Sequence, residues 1–135
     1  VTEAHVKEAI NAIEKDTVQE VIRTLPSQSK IILRSIIENH EKKDTSVITG
    51  DVYSLYKEIC KGLNISPKSE KRVADLISEL DMLGIIHARV KSFGRQGRTR
   101  EIELNINKDI IEFVMKDELF EPLSKYKPPK QTKLL

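Results

Sequence analysis

Several residue types and patterns are scarce in this 135-residue sequence. It has one cysteine, Cys60, and no tryptophan, and aromatic residues make up only 4% of the chain. A single cysteine excludes an internal disulfide framework, so we expect a reducing, cytoplasmic compartment and a Cys60 that is a small buried residue. Apolar runs are only a few residues long, which argues against a membrane-spanning helix. Val1 opens a charged helical pattern and not a signal peptide.

The chain also lacks the residue patterns of enzymes and metalloproteins. His5, His40 and His87 do not have the spacing of metal ligands, and one cysteine gives no zinc site. The glycine-rich motif of a nucleotide-binding P-loop is missing. Glu79 and Asp81 are too close in sequence to face each other, and no histidine or nucleophile accompanies them. We therefore expect no catalytic residue, no metal site and no cofactor in this chain.

Charge is abundant, and its distribution is uneven. Hydrophobic residues make up 39% and charged residues 33%, which is typical of a helix-rich globular protein of one domain plus a short extra element. The net charge is only +2. Residues 87–100, however, contain five bases and no acid, and the segment after Glu121 contains four lysines and no acid. Local positive charge of this kind favours a surface that binds phosphate.

The first half of the chain reads as helices separated by turn signals. Apolar spacing predicts a helical segment over residues 1–25, with a possible break at Asp16-Thr17 and an end at Pro26. Ser29 is expected to cap a second helix that runs to about residue 40, with Ile32, Leu33, Ile36 and Ile37 facing inward. Val47-Ile48 fits a very short strand, and Thr49 is expected to cap a helix that ends near residue 63.

In the second half of the chain, the spacing of the apolar residues changes from helical to alternating. Ser69 is expected to cap a further helix with Arg72 at its third position, and Gly84 is expected to end it. Five apolar residues share one face of this helix: Val73, Leu76, Ile77, Leu80 and Leu83. Alternating apolar residues then predict two strands, near 85–90 and 102–106, joined by a hairpin tip over 92–99. A last helix follows over 108–115, and residues 121–135 fit an extended, mobile, basic tail.

This order of elements predicts a winged helix-turn-helix over residues 26–120, in a mainly α, α+β fold with a small β-hairpin. The major groove of DNA admits an α-helix, whose N-terminal residues then contact base edges. Four residues near the start of the helix capped by Ser69 lie off its apolar face and are candidate DNA contacts: Ser69, Lys71, Arg72 and Asp75. The alternative is an ordinary solvated polar face.

The hairpin supplies the second group of candidate contacts. Arg95, Gln96, Arg98 and Arg100 cluster at or near a tip that contains two glycines, Gly94 and Gly97. Arginine is favoured on the DNA backbone and in the minor groove, and glycine allows a close backbone approach. A loop shaped only by solubility is the alternative, but such a loop usually mixes charges of both signs.

Residues 14–16, 21–26 and 52–57, and above all residues 72–86 and the segment Gly94-Arg95-Gln96-Gly97-Arg98-Thr99, resemble the archaeal origin-recognition and cell-division-cycle family of replication initiators. The resemblance implies a C-terminal winged helix, preceded by the last helix of an AAA+ lid. It implies that the helix capped by Ser69 is a recognition helix and that the hairpin is a wing. Both would bind duplex DNA at replication origins, through the eight residues named above. The ATP-binding motifs of the family are missing, so ATP and magnesium are expected only for the AAA+ domain.

Two classes of function remain open. Winged helices also dock proteins, and the resemblance implies other initiator paralogues and the replicative helicase as partners, with a nucleoid-associated location and no membrane. The acids of the helix capped by Ser69 and the apolar N-terminal helix favour some protein contact, whereas the unopposed arginines of the hairpin favour DNA. Because DNA binding releases counterions, its affinity falls steeply with salt, which separates the two classes.

Overall fold

The computed structural model describes residues 15–43, 45–92 and 98–124, without the side chains of Ser92, Arg98 and Ser124. Helix α1 is described over residues 15–23. The elements that follow are α2 (Ser27–Lys42), β1 (Val47–Ile48), α3 (Thr49–Gly62), α4 (Glu70–Met82), β2 (Ile86–Ser92), β3 (Arg98–Leu104), α5 (Lys108–Met115) and a 3-10 helix (Glu118–Ser124). This arrangement of helices with one small sheet confirms the α+β winged-helix prediction.

The chain turns sharply between α1 and α2. α1 is continuous through Asp16 and Thr17, so the break predicted there is wrong. Pro26 is the N-cap of α2, with an extended backbone at φ −60° and ψ 154°. The predicted cap at Ser29 is wrong, because α2 begins directly after the proline and buries Ser29 in its first turn. The inward face of α2 is as predicted: Ile32, Leu33, Ile36 and Ile37 are at most 1% exposed, and Ile31 is buried as well.

The start of α3 is fixed by an acid and not by a hydroxyl. Ile48 is the N-cap, and the carboxylate of Asp51 accepts the backbone N–H of Ile48 at 3.1 Å and the ammonium of Lys43 at 2.7 Å. Thr49 is the first helical residue, so the prediction that it caps the helix is wrong. Its hydroxyl instead donates to the backbone carbonyl of Arg100 at 3.5 Å, which ties α3 to β3.

Helix α4 follows the predicted pattern at its start and departs from it at its end. The Ser69 hydroxyl accepts the backbone N–H of Arg72 at 3.2 Å, as a capping residue should. Gly84 follows the helix with φ +78°, the left-handed conformation that favours glycine. Four predicted inward residues are buried, namely Val73, Leu76, Ile77 and Leu80. Leu83 is wrong as an inward residue: it is the C-cap, where the helical turn ends, and is 51% exposed.

A buried tyrosine fixes the turn that leads into α4. The Tyr56 hydroxyl accepts the backbone N–H of Lys68 at 2.7 Å and donates to the side chain of Gln28 on α2. Burial of the ring raises the pKa of Tyr56 to about 12, so the hydroxyl keeps its proton. The turn before α4 is thereby connected to both α3 and α2, which sets the direction in which α4 projects.

The sheet is antiparallel, with strand order β1-β3-β2. β2 and β3 pair over their full length, from Ile86 opposite Leu104 to Ser92 opposite Arg98. Both strands therefore extend closer to the tip than the apolar alternation predicts, because the exposed ends of the strands carry polar residues on both faces. Residues 93–97 of the predicted tip lie outside the described residues. Arg98 belongs to β3 and not to the tip, which corrects the prediction, whereas Arg100 lies in β3 near the tip, as predicted.

The C-terminal elements close the core from the side of α2. Phe120 is 4% exposed, and the guanidinium carbon of Arg34 lies 4.7 Å from its ring centroid. The Lys30 ammonium lies 2.8 Å from the Asp117 carboxylate. Residues 121–124 continue the 3-10 helix, so the predicted extended tail does not begin at residue 121. Residues 125–135 of that predicted tail, and residues 1–14 of the predicted helical segment, lie outside the described residues.

Candidate nucleic-acid interface

The first turn of α4 presents polar side chains to solvent. Ser69, Lys71, Arg72 and Asp75 are all exposed, off the buried face of α4. The structure thus brings together the four residues that the sequence predicts at the start of this helix. In the described part of the chain, no ion pair within 4 Å joins Arg72 to Asp75. The Arg72 guanidinium and the Asp75 carboxylate are therefore both available to an external partner.

The hairpin stands beside this helix, but only its strands are described. Arg95 and Gln96 lie in the segment 93–97 outside the described residues. The backbone of Arg98 opens β3, opposite Ser92, and its side chain is not described. The predicted contribution of these three residues to DNA binding stays a prediction.

Arg100 differs from the other predicted contacts, because its side chain is directed at α4. One terminal nitrogen, Nη1, donates to the Ser78 hydroxyl at 2.7 Å, and the other, Nη2, donates to the Ala74 carbonyl at 2.7 Å. Ser78 is itself bonded to the Ala74 carbonyl at 3.2 Å. The recognition helix and the hairpin are therefore joined by a small network of hydrogen bonds.

The bases of β2 are matched by acids that the local sequence does not contain. The Arg89 guanidinium lies 3.7 Å from the Glu103 carboxylate, and the Lys91 ammonium lies 3.0 Å from the Glu101 carboxylate. Hydrogen bonds from Ser46 and then Lys91 hold the pKa of Glu101 below its usual range, so its negative charge persists. The positive charge predicted from residues 87–100 is thus partly neutralised along the strands of the hairpin.

An open groove separates the recognition helix from the hairpin. It has a volume of about 550 Å³ and lies where α4, the hairpin and the start of α3 converge. Its lining consists of Ile48, Thr49, Gly50, Glu70, Ala74, Val90, Thr99 and Arg100. Val90 is 55% exposed there, although it is a large apolar residue. Apart from Arg100, these residues were not among the predicted contacts, since none carries a charge pattern or motif that the sequence alone marks as a site.

Nothing in the described residues points to catalysis or metal binding. No group of three or more His, Cys, Asp or Glu side chains in the described ranges could hold a metal ion. Cys60 is buried as predicted, and burial raises the pKa of its thiol, which disfavours the reactive thiolate. Across residues 15–43, 45–92 and 98–124, no helix is both long and apolar enough to cross a bilayer.

Comparisons with known proteins agree with this geometry. Residues 20–114 match the family model "CDC6, C terminal winged helix domain". The chain is 48% identical over 124 residues to an ORC1-type DNA replication protein of Thermococcus kodakarensis. The match covers 91% of this chain and 30% of that protein. A Pyrococcus abyssi protein of the same name is 53% identical over 106 residues, or 78% of this chain and 25% of the relative.

A solved structure gives the same result. The Aeropyrum pernix ORC1 protein, solved in complex with DNA, superimposes with a TM-score of 0.81 at 41% identity. The match covers 88% of this chain and 31% of that one. The chain thus spans less than a third of the length of these relatives, and the matched part is the winged helix.

Proposed function

The chain belongs to the ORC1/Cdc6 family of replication initiators, as the C-terminal winged-helix domain, and from this premise we propose that it binds duplex DNA at replication origins. The observation that carries the proposal is the exposed, unpaired first turn of α4 beside a hairpin that is joined to the same helix. The Aeropyrum pernix relative, which was solved with DNA, supports duplex DNA as the ligand.

In this proposal α4 enters the major groove with its first turn. The helix has 13 residues and is about 20 Å long, so one end reaches base edges while the other stays outside the groove. Arg72 donates its guanidinium fork to guanine, and Asp75 accepts from the amino group of cytosine. Ser69 and Lys71, at the start of the helix, contact the neighbouring phosphates, where the helix dipole also favours negative charge.

The hairpin then lies along the flanking backbone or in the adjacent minor groove. We assign this contact to Arg95, Gln96 and Arg98, because the sequence places all three at or next to the hairpin tip, in a segment with several bases and no acid. Phosphate contacts of this kind position the protein without reading sequence, so selectivity comes from α4. ATP chemistry, in this proposal, belongs to the AAA+ domain of the family and not to the winged helix.

A salt titration on two duplexes tests the proposal. An origin-derived duplex and a scrambled duplex of equal length are titrated with the chain at several salt concentrations. The affinity should fall steeply with salt on both, because counterions are released, and should be higher on the origin duplex. A shallow salt dependence with equal affinities would contradict DNA recognition.

A matched pair of variants locates the surface. Lys71→Ala removes one exposed base from the first turn of α4, and Lys116→Ala removes one from the turn after α5, remote from the groove. Lys71→Ala should weaken binding and lower the salt slope by roughly one unit, whereas Lys116→Ala should leave both near wild type. Equal effects of the two variants would mean that binding is a response to net charge alone.

A protein-docking role is the second candidate, and a specific observation favours it. Met82 is 86% exposed and Leu83 is 51% exposed, at the end of α4 that points away from the proposed DNA contacts. Exposed apolar residues that lie together are typical of a protein contact. Another initiator or the replicative helicase is the partner we propose for this end. Met82→Ser with Leu83→Ser should then reduce helicase capture without changing the affinity for DNA.

A further inference from the structure

Arg100 stands at the point where the parts of the proposed DNA-binding surface meet. In β3 it pairs with Val90 of β2, and its backbone carbonyl accepts the hydroxyl of Thr49 at the start of α3. Its side chain crosses to α4, where it bonds Ser78 and Ala74. One residue therefore connects the hairpin to both helices of the helix-turn-helix.

The chemistry of this contact suits a fixed joint. The two acceptors are one helical turn apart, and the planar guanidinium reaches both at 2.7 Å. The single proton of the Ser78 hydroxyl is directed to the Ala74 carbonyl at 3.2 Å, which leaves its oxygen lone pairs for Arg100. Hydrogen bonds from a charged donor are stronger than neutral ones, and two parallel bonds also restrict the angle between the partners.

The joint is more protected than the other contacts of the hairpin bases. The Arg100 bonds to α4 are partly buried, whereas the side chains of Arg89 and Lys91, in their pairs with Glu103 and Glu101, are 65% and 49% exposed, respectively. Exposed pairs contribute little to stability. Movement of Arg100 towards a phosphate, by contrast, breaks two charge-assisted bonds and separates the hairpin from α4.

We propose that Arg100 is a positioning residue, which sets the angle of the wing against the recognition helix through Ser78 and Ala74, and not a direct phosphate contact. The inference rests on the proposed DNA binding. A wing held at one angle reaches the backbone in register with the base contacts of α4. Loss of the joint leaves α4 able to bind while the wing no longer reaches its place.

A double-mutant cycle tests this assignment on the full chain with an origin-derived duplex. Arg100→Ala should weaken binding about tenfold, equivalent to about 1.4 kcal/mol, and Ser78→Ala about threefold. The double variant should bind no more weakly than Arg100→Ala, because both residues act through one contact. Arg100→Lys, which keeps the charge but loses the fork, should resemble Arg100→Ala, and Ser78→Thr, which keeps the hydroxyl, should resemble wild type.

A hydroxyl-radical footprint supplies the readout that a merely structural role does not change. Arg100→Ala and Ser78→Ala should both lose protection under the wing while protection under α4 remains. Arg89→Ala, an arginine on the same hairpin that pairs with Glu103 and not with α4, is the matched control and should retain both zones. Thermal melts of every variant show whether the fold is intact.

The opposing results are distinct. A Ser78→Ala variant that binds like wild type while Arg100→Ala is weakened, additive losses in the cycle, or near-normal binding by Arg100→Lys would make Arg100 a direct contact. A uniform loss of protection that follows a fall in melting temperature would reduce its role to stability. Failure of the wild-type chain to bind any duplex would instead remove the proposed function itself.

Discussion

The first turn of α4 and the strands of the wing, β2 and β3, both carry basic residues. Among the side chains that the structure describes, the fold pairs those of the wing and leaves those of α4 unpaired. Lys71 and Arg72 are exposed, and in the described part of the chain neither forms an ion pair within 4 Å. In the strands of the wing, Arg89, Lys91 and Arg100 each have a partner within the chain. The number of basic residues in a segment therefore does not measure a DNA-binding surface. What matters is whether each base is already engaged.

The largest effect should come from the buried face that supports the first of these regions. Leu76 is 3% exposed, on the buried face of α4. Leu76→Ala should lower the free energy of unfolding by roughly 2–5 kcal/mol through reduced burial and a cavity. Met82→Ala, on the same helix at 86% exposure, is the control and should change it by less than about 0.5 kcal/mol. A loss below about 0.5 kcal/mol for Leu76→Ala in a denaturant melt would mean that α4 faces the other way.

Selectivity should reside in the unpaired region. Arg72→Ala should cost roughly 1–3 kcal/mol on the best duplex and much less on a scrambled one, because only a base contact depends on sequence. Binding isotherms of both proteins on both duplexes, at one salt concentration, measure the difference. Equal losses would reassign Arg72 to the phosphate backbone, and no loss on either duplex would remove Arg72 from the interface.

General affinity should depend on the far end of the wing. Arg95→Ala with Arg98→Ala should weaken binding about tenfold on every duplex, and the salt slope should fall by roughly one unit for each phosphate that the wing no longer neutralises. The measurement is a salt titration of the double variant, with a melt to confirm that it folds. An unchanged affinity and slope would remove the wing from the interface.

The smallest effect should come from the ion pair between Lys91 and Glu101 in the strands of the wing. Glu101→Gln removes the charge that pairs with Lys91, so the affinity for any duplex should rise by a fewfold at most, since Lys91 is half exposed and one such pair contributes little. Glu58→Gln, on the exposed side of α3, changes the net charge equally and is the control. If both variants raise the affinity equally in a low-salt titration, the pair with Lys91 is irrelevant to binding.

Much of the architecture was readable because its signals are local. The cap at Ser69, the buried stripe from Val73 to Leu80, and the stop at Gly84 each depend on residues within a turn or two of one another. Helical periodicity and capping act over that distance, so the sequence alone predicts α4 and its outward residues. The same reasoning failed at Ser29 and Thr49, where a neighbouring proline and an aspartate three residues after the cap control the helix start.

Tertiary structure decided which of the predicted residues remain free to bind. The partners of Arg100 lie 22 and 26 residues away in sequence, and Glu103 reaches Arg89 only because β2 and β3 pair in one register. Charge interactions act through space, so their pairing depends on how the elements pack and not on sequence spacing. The sequence alone predicts the recognition helix and the presence of a basic wing. Packing decides which basic residues of that wing are held by the protein and which are left for a partner.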